Sequence, residues 1–265
     1  MSVEASRGNG AEGRVVVLGT RGISKSFGAV RALSGVDFEV RAGEVVALIG
    51  DNGAGKSTLI NAVTGVFPPD SGEITFEGRT VRFGSPHDAR EMGIETVYQD
   101  LAVAPQLDAV GNIFLGRERY RPGVLGWLGF LDGARMLRET EEQLAELNVR
   151  IRDLGKPLST FSGGQRQGVA VARAVMWASK VVIMDEPTAA LGVAQVEMVL
   201  GLIRKVRETG IPVVFISHNM PHVFEVADRI CVLRLGEMVA ELDPKKNTTD
   251  DAVAAMTGSV REGAE

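Results

Sequence analysis

The chain has 265 residues, 45% of them hydrophobic, which is enough to build one or two lobes around a substantial core. Its 34 acidic residues outnumber its 29 basic residues and leave a net charge of −5, which argues against a dominant DNA- or RNA-binding surface. No run approaches the roughly 18 uncharged apolar residues of a membrane span. The first fourteen residues lack the apolar stretch of a secretory signal, so we expect residues 1–14 to form a mobile tail.

Two kinds of strand are predicted along the chain. The segments VDFEVRA (36–42) and EITFEG (73–78) alternate apolar and polar residues, and TVRF (80–83) follows after a turn, which is typical of half-buried antiparallel strands. Continuous apolar runs indicate strands that are covered on both faces, as in a parallel sheet. These runs are VVALI (45–49), VVIMD (181–185) and PVVFI (212–216).

Helical patterns lie between the strands. Residues 196–207 place Val196, Val199, Leu200, Ile203 and Val206 on one face, and Gly210 ends the segment.

Residues 100–165 contain no convincing strand. Their clearest element, ARMLRETEEQLAELNV, places Leu137, Leu144 and Leu147 on one apolar face. We therefore predict an α/β domain over residues 15–257: a parallel core with an antiparallel β subdomain (15–99 and 166–257), interrupted by a helical insertion (100–165). Residues 258–265 are expected to be a second tail.

The segment GDNGAGKST (50–58) has the pattern G-x-x-x-x-G-K-[ST] of a phosphate-binding P-loop. A predicted buried strand precedes it and a helix-compatible segment follows, as such a loop requires. Its backbone N–H groups would surround a β-phosphate, Lys56 would reach the β- and γ-oxygens, and the Ser57 hydroxyl would bind Mg²⁺. The alternative is a chance match in a chain with 32 glycines.

The strand VVIMD ends in a pair of carboxylates. Asp185 at its end can hold the Mg²⁺ shell, and Glu186 can orient or deprotonate an attacking water. Taken alone, the same pair would also suit a turn with a helix N-cap, since Pro187 and Thr188 follow it. Next to a P-loop, the catalytic interpretation is favoured.

A second anion-binding pattern lies in FSGGQ (161–165). Ser162 stands at an N-cap position, and Gln165 three residues later completes a capping box. The glycines between them leave backbone N–H groups accessible to an anion. An ordinary capped helix start is the alternative interpretation of this motif taken alone.

In chain order these motifs resemble an ABC-type ATPase, from about residue 20 to residue 257, with FSGGQ as the specific element. The resemblance implies a RecA-like P-loop NTPase fold, and ATP and Mg²⁺ as ligands. It implies ATP-binding roles for Gly50, Asp51, Asn52, Gly53, Ala54, Gly55, Lys56, Ser57 and Thr58, and an adenine-stacking role for Phe27. It implies that Gln99, in VYQD, senses Mg²⁺ and the attacking water, that His218 contacts the γ-phosphate, and that Ser57, Gln99 and Asp185 surround Mg²⁺.

The same resemblance implies that each nucleotide lies between the P-loop of one chain and the FSGGQ helix of a second copy. Ser162, Gly163, Gly164 and Gln165 would then contact the ATP of the partner chain. One position departs from the family pattern, because Gly192 stands where the family usually has an Asp that contributes contacts across the dimer.

Asp51-Asn52, the run VYQDLAVAPQLDAVGNIFLGRE and ISHNMPHVFEVADRI resemble the ATPase subunits of bacterial monosaccharide importers of the ribose, xylose and fructose type. Such a subunit lies peripherally on the cytoplasmic face of the inner membrane. It pairs with a copy of itself and with integral membrane permease subunits, and it acts indirectly with an extracytoplasmic sugar-binding protein. The alternative is an ABC-type ATPase acting on nucleic acid or ribosomes, but the acidic charge and the length oppose it and predict no nucleic-acid partner. A GTPase is a third option, but no N-K-x-D motif is present.

Other features have simpler interpretations. His218 and His222 have a zinc-like spacing, but Pro221 between them predicts that the helix begins after His218, so they cannot share a face. The lone Cys231 stands in an apolar strand-like run and is expected in the core of a cytosolic protein.

The apolar segment RPGVLGWLGFL (121–131) is predicted to be a packed loop of the helical insertion. The alternative for this segment is a patch that faces a membrane partner.

Overall fold

The computed structural model describes residues 14–98, 100, 102–189 and 191–259. Within these residues, ten strands are numbered along the chain: β1 (Val16–Phe27), β2 (Val30–Arg41), β3 (Val45–Ile49), β4 (Ser71–Phe76), β5 (Arg79–Val81), β6 (Ile94–Val97), β7 (Val181–Asp185), β8 (Val213–Ile216), β9 (Arg229–Arg234) and β10 (Glu237–Leu242). The α-helices of the same residues are α1 (Lys56–Val63), α2 (Pro86–Glu91), α3 (Ala109–Ile113), α4 (Val124–Trp127), α5 (Gly133–Glu146), α6 (Gly163–Trp177), α7 (Val193–Glu208), α8 (Met220–Val226) and α9 (Thr249–Thr257).

The central sheet has six strands in the order β10-β9-β3-β8-β7-β6. All neighbours pair in parallel except β9 and β10, which form an antiparallel edge hairpin. Strands β3 and β7 have the predicted bounds, and β8 begins one residue later than predicted. Because helices and a second sheet cover both faces, every residue of β3 is buried, which explains its unbroken apolar sequence.

The second sheet is antiparallel, with the order β2-β1-β4-β5, and contains the three predicted half-buried segments. Alternate residues of β3 point to opposite sides of the central sheet. Val46 and Leu48 pack against the antiparallel sheet through Leu18 and Phe38. Val45, Ala47 and Ile49 belong to the other cluster, which α6 and α7 cover. The P-loop therefore begins at the end of a strand that both layers hold in place.

Helix α7 buries all five residues predicted for its apolar face, and Gly210 follows its last turn with φ 87°. The prediction for α5 was only partly right. Leu144 and Leu147 are buried, but Leu137 is exposed, and Met136 takes its place in the core. The apolar stripe is therefore rotated by one residue at the start of the helix.

A buried ion cluster joins the two sheets. The Arg229 guanidinium of β9 donates to the Glu44 carboxylate at 2.7 Å, to the Glu39 carbonyl oxygen at 2.6 Å and to the Glu241 carboxylate at 3.0 Å. Cys231 lies beside it and is buried, as predicted. Burial raises the pKa of the Cys231 thiol to about 12, so the thiol is unreactive at neutral pH.

Residues 121–131 contradict the prediction of a packed loop. They belong to a hairpin, residues 119–132, whose apolar side chains are exposed; Trp127 is 85% exposed. The predicted tails fall almost entirely outside the described residues; Arg14, which is described, donates to the Gly43 carbonyl oxygen at 3.0 Å. No helix among the described residues is both long enough and apolar enough to span a bilayer.

Candidate active site

The P-loop connects β3 to α1, and its glycines fit positions that other residues could not occupy. Gly55, the N-cap of α1, has φ 106°, in the left-handed region. A Cβ on Gly55 would lie 2.6 Å from the Ala32 carbonyl oxygen, and one on Gly50 would lie 2.2 Å from the Leu233 carbonyl oxygen. The loop therefore packs closely on its neighbours, and the N-terminus of α1 stays open to an anion.

Lys56 lies at the centre of the loop. Its ammonium donates to the carbonyl oxygens of Gly50 at 2.6 Å and Asp51 at 3.0 Å. Partial burial lowers the pKa of Lys56, although the carboxylates of Glu186, Asp185 and Asp51 oppose this effect. These contacts hold the cation where the P-loop pattern expects the β- and γ-phosphates.

Asp185 ends β7, two strands away from β3 in the central sheet, so its carboxylate faces the same edge as the P-loop. Burial, and then the neighbouring Glu186, raise the pKa of Asp185, whereas Lys56 lowers it. A cation bound here would stabilise the ionised form of Asp185, whose carboxylate is partly buried and adjacent to that of Glu186.

Glu186 adopts φ 48°, which is uncommon for a residue other than glycine. Its backbone N–H donates to the Ile216 carbonyl oxygen at 3.0 Å, which fixes the turn after β7. Oε1 of its carboxylate lies 2.8 Å from His218 Nδ1, and Ser217 Oγ donates to Oε2 at 3.5 Å. His218 precedes α8, whose N-cap is Asn219, so His218 is outside the helix, as predicted.

These groups share a cleft of about 460 Å³, a size typical of small-ligand sites. It is lined by Val30, Arg31, Ala32, Asn52, Gly53, Ala54, Gly55, Lys56, Ser57, Thr58, Asp185, Glu186, Ala189 and His218. Sequence reasoning missed Ala189 and the β2 residues Val30 to Ala32. The pairing of β2 with β1 brings Val30 to Ala32 beside the P-loop, and no local sequence motif predicts that contact. A larger cleft, of about 680 Å³, lies beside α5 and includes none of the predicted nucleotide residues.

Phe27 lies at the end of β1 and is half exposed. Its ring meets the Phe67 ring edge to face at 5.3 Å between centroids, and the Lys25 ammonium lies 5.7 Å from the Phe27 centroid. Phe27 is not among the residues that line the cleft, although Val30, across the β1–β2 turn, is. The adenine-stacking role of Phe27 therefore stays a prediction.

FSGGQ forms the predicted capping box at the start of α6. Ser162 Oγ accepts from the Gln165 N–H at 3.3 Å, and the Gln165 side chain accepts from the Ser162 N–H at 3.0 Å. Ser162 and Gly163 are exposed, whereas Gly164 is buried against Gln195 of α7. None of the FSGGQ residues lines the P-loop cleft of the same chain.

Gly192 takes the N-cap position of α7 without a side-chain cap. A Cβ there would lie 2.6 Å from Gln195 Oε1. Gln195 therefore packs against both Gly192 and the buried Gly164, and this contact links the start of α7 to the FSGGQ helix.

The residues present fit Mg²⁺ bound together with a nucleotide. The Ser57 hydroxyl and the Asp185 carboxylate are hard oxygen ligands at the same cleft, which is the donor type that Mg²⁺ prefers. Within the described residues, no group of three or more His, Cys, Asp or Glu side chains could hold a metal without the oxygens of a ligand. Gln99, the third predicted Mg²⁺ contact, lies outside the described residues.

Comparisons with known proteins agree with this geometry. A family model described as ABC transporter matches residues 33–189. The fructose import ATP-binding protein FrcA of Rhizobium meliloti is 54% identical over 92% of this chain and 94% of that protein. The xylose/arabinose import ATP-binding protein XylG of Sulfolobus acidocaldarius is 47% identical over 91% of this chain and 94% of that protein. A ribose import ATP-binding protein, RbsA 2 of Rubrobacter xylanophilus, is 42% identical over 93% of this chain, but this chain spans only 46% of that protein.

Solved structures share the fold. A nucleotide-free ATP-binding cassette from an ABC transporter superposes with a TM-score of 0.76 at 27% identity, over 91% of this chain and 98% of that one. A dimeric, post-hydrolysis cassette bound to ADP and Pi gives a TM-score of 0.73 at 26% identity, over 86% of this chain and 99% of that one. The predicted fold class, a parallel core with an antiparallel β subdomain, is confirmed. Since the family model covers more than half of its length, the chain belongs to the ABC transporter family.

Proposed function

We propose that this chain is the ATP-hydrolysing subunit of a bacterial importer, in which it drives uptake of a monosaccharide through a separate membrane permease. The observation that carries the proposal is the convergence of Lys56, Asp185, Glu186 and His218 on the P-loop cleft. The sugar class follows from the relatives, whose printed names assign fructose, xylose/arabinose and ribose import.

Each side chain of the cleft has a distinct task. Lys56 and the N–H groups at the start of α1 would bind the β- and γ-phosphates. Ser57 and Asp185, with Gln99, would hold Mg²⁺, which supplies positive charge to the phosphate oxygens. Glu186 would orient the attacking water and accept its proton, because its carboxylate is held at the rim of the cleft by His218. Asp51, Asn52, Gly53, Ala54 and Thr58 complete the loop around the phosphates.

The catalytic unit would be a homodimer with two composite sites. In one chain, the FSGGQ helix start lies outside the P-loop cleft, and Ser162 and Gly163 are exposed where a second copy can reach them. Helix N-termini from two chains would then meet the same γ-phosphate, so ATP favours the closed dimer and hydrolysis removes that preference. This cycle is the means by which the subunit would move a permease between two states.

In this assembly the chain lies on the cytoplasmic face of the inner membrane, bound to permease subunits. A sugar-binding protein on the other side would act on it only through the permease. Neither partner needs to contact the nucleotide cleft, so the sugar is chosen by the permease and by the binding protein.

Reconstitution tests the proposal. The chain would be co-expressed with a candidate sugar permease from the same organism, and the complex placed in vesicles with the binding protein of that permease. We expect ATPase activity to rise several-fold with one monosaccharide and labelled sugar to accumulate. Stimulation by DNA, RNA or ribosomes, with no response to any sugar, would contradict the proposal.

A further inference from the structure

The hairpin of residues 119–132 carries a dense apolar surface that the ATP cleft does not use. Seven large apolar or aromatic side chains within twelve residues are between 43% and 85% exposed. They are Tyr120, Val124, Leu125, Trp127, Leu128, Phe130 and Leu131. Single exposed apolar side chains are common on proteins, but a contiguous run of this kind marks an interaction surface.

The base of the hairpin is tied to helices α5 and α6 by side-chain contacts. Arg119 pairs with Glu139 of α5 at 3.3 Å, and its guanidinium lies over the Trp177 ring of α6 at 5.3 Å. Tyr120 and Leu131 form an antiparallel bridge just beyond this base. The apolar tip is therefore attached to the helical part of the molecule through α5 and α6.

Part of the backbone of the tip is paired within the hairpin. The Arg121 N–H donates to the Phe130 carbonyl oxygen at 2.9 Å, and the Phe130 N–H donates to the Leu125 carbonyl oxygen at 3.0 Å. The N–H groups of Trp127 and Leu128 are bonded within the turn of α4, at 3.2 and 3.0 Å. Each N–H group that is paired in this way lowers the free-energy cost of moving the tip out of water.

The charge of the hairpin differs from that of the whole chain. The hairpin contains two arginines and one acidic residue, Asp132, whose carboxylate caps α5 at the base, whereas the chain has a net charge of −5. Arg121, at the foot of the tip, is exposed and forms none of the ion pairs found within residues 14–98, 100, 102–189 and 191–259. A segment that combines an exposed cation, exposed Trp and Tyr side chains and several exposed aliphatic side chains has the composition of segments that lie at the surface of anionic bilayers.

We propose that this hairpin inserts through the headgroups of an anionic lipid bilayer, so that Trp127 and Leu128 reach the acyl chains and Arg121 pairs with lipid phosphates. The bilayer is favoured over a protein partner because the tip is a projection with exposed side chains all around its turn, from residue 121 to residue 125 and again from 127 to 131. A fluid bilayer covers such a projection on every side without a matching groove. The proposal does not depend on ATP hydrolysis or on a permease.

Vesicles without any membrane protein test it. The purified chain would be mixed with vesicles of phosphatidylglycerol and phosphatidylethanolamine, and with vesicles of phosphatidylcholine alone. We expect co-sedimentation with the anionic vesicles and a blue shift of tryptophan emission, with quenching by brominated acyl chains. Trp127→Phe should abolish the blue shift, because the remaining Trp177 is partly buried and donates to the Ile113 carbonyl oxygen at 2.8 Å.

Charge substitutions locate the binding surface. Leu128→Asp should weaken binding about ten-fold or more, since it removes apolar surface and adds a like charge. Arg121→Gln should weaken binding to the phosphatidylglycerol vesicles, because it removes a positive charge, and should not change any residual binding to phosphatidylcholine vesicles. Leu235→Asp is the matched control: Leu235 is similarly exposed, at 78%, and lies on a turn remote from the hairpin in sequence, so binding should not change.

Three outcomes would overturn the proposal. The first is no binding to anionic vesicles by a chain that still binds ATP. The second is equal loss of binding in the Leu128→Asp and Leu235→Asp variants. The third is hairpin-dependent binding only to membranes that contain the permease, which would identify the surface as a protein interface instead.

Discussion

His218 contacts Glu186 directly, with its Nδ1 2.8 Å from Oε1 of the carboxylate. The two residues are 32 positions apart and come from the ends of β8 and β7, which are neighbours in the central sheet. Glu186 also adopts a left-handed backbone conformation that costs free energy, and such conformations persist where the surrounding structure enforces them. Contacts within the chain itself therefore fix the position of the carboxylate.

Glu186→Gln tests the catalytic role of this carboxylate. The amide has the same size but cannot accept a proton from water, so hydrolysis should fall by about 10²–10⁴-fold, the usual contribution of a general base. Binding of Mg-ATP should survive, because the P-loop is unchanged, and a closed ATP-bound dimer should accumulate on size-exclusion chromatography. Single-turnover hydrolysis gives the rate, and near wild-type turnover would mean that another group activates the water.

Asp185→Asn tests the charge of the Mg²⁺ site through pH. Because burial raises the pKa of Asp185 above its ordinary value of 3.8, the folded, nucleotide-free protein holds this proton more tightly than the unfolded chain. The contribution of Asp185 to stability is therefore fully present below its pKa in the unfolded chain, and it is lost as pH rises through its raised pKa in the folded protein. The Asn variant should lose this dependence.

At pH 7 the nucleotide-free Asn variant should melt slightly higher than wild type, by a few °C at most, since partial exposure screens the charge. Its Mg²⁺-dependent hydrolysis should fall on the order of 100-fold or more. Melting curves of the Asn variant and of wild type between pH 4 and pH 8 check the expected difference in melting temperature. A variant that melts lower than wild type at pH 7 would show that the carboxylate stabilises the empty site.

Parts of the fold were predictable because their environment leaves a clear pattern. Strands β3 and β7 are buried on both faces, so their apolar runs give their bounds to the residue. The start of α5 was predicted one residue out of register, because both Met136 and Leu137 are apolar and only packing selects Met136. Residues 121–131 were predicted to be a packed loop, because their composition is apolar whether or not anything covers them.

Phe27→Ala tests the adenine contact. Stacking on a base contributes about 1–3 kcal/mol in nucleic-acid proteins, so ATP affinity should fall several-fold or more, whereas Phe27→Tyr should have little effect. Equilibrium binding of a fluorescent ATP analogue measures both. Phe67→Ala is the control, because it removes the edge-to-face partner of Phe27 and leaves the Phe27 ring in place. Unchanged affinity in Phe27→Ala would assign the adenine to other residues, with Val30 the first candidate.

The candidate site was predictable in its motifs and not in its contacts. The P-loop spacing indicated Lys56, and next to that loop a carboxylate pair at the end of a buried strand indicated Asp185 and Glu186. The contact of Glu186 with His218 and the lining by residues 30–32 depend on strand order and on the β1–β2 pairing. No local sequence pattern predicts either contact.

The composite two-chain site is the central claim, and two mixed dimers test it with opposite expectations. Lys56→Ala disables the P-loop, and Ser162→Arg places a bulky charge at the start of α6, also removing a cap contribution of about 1 kcal/mol. If each site combines Lys56 of one chain with Ser162 of the other, pairing the two single variants leaves one intact site. Pairing wild type with a chain that carries both substitutions leaves none.

The measurement is single-turnover ATP hydrolysis on doubly tagged, purified mixed dimers. The account predicts up to about half of wild-type activity for the two single variants together, if the sites are independent, and almost none for wild type with the double variant. If FSGGQ served the nucleotide of its own chain, the results would be reversed: no recovery in the first mixture and about half activity in the second.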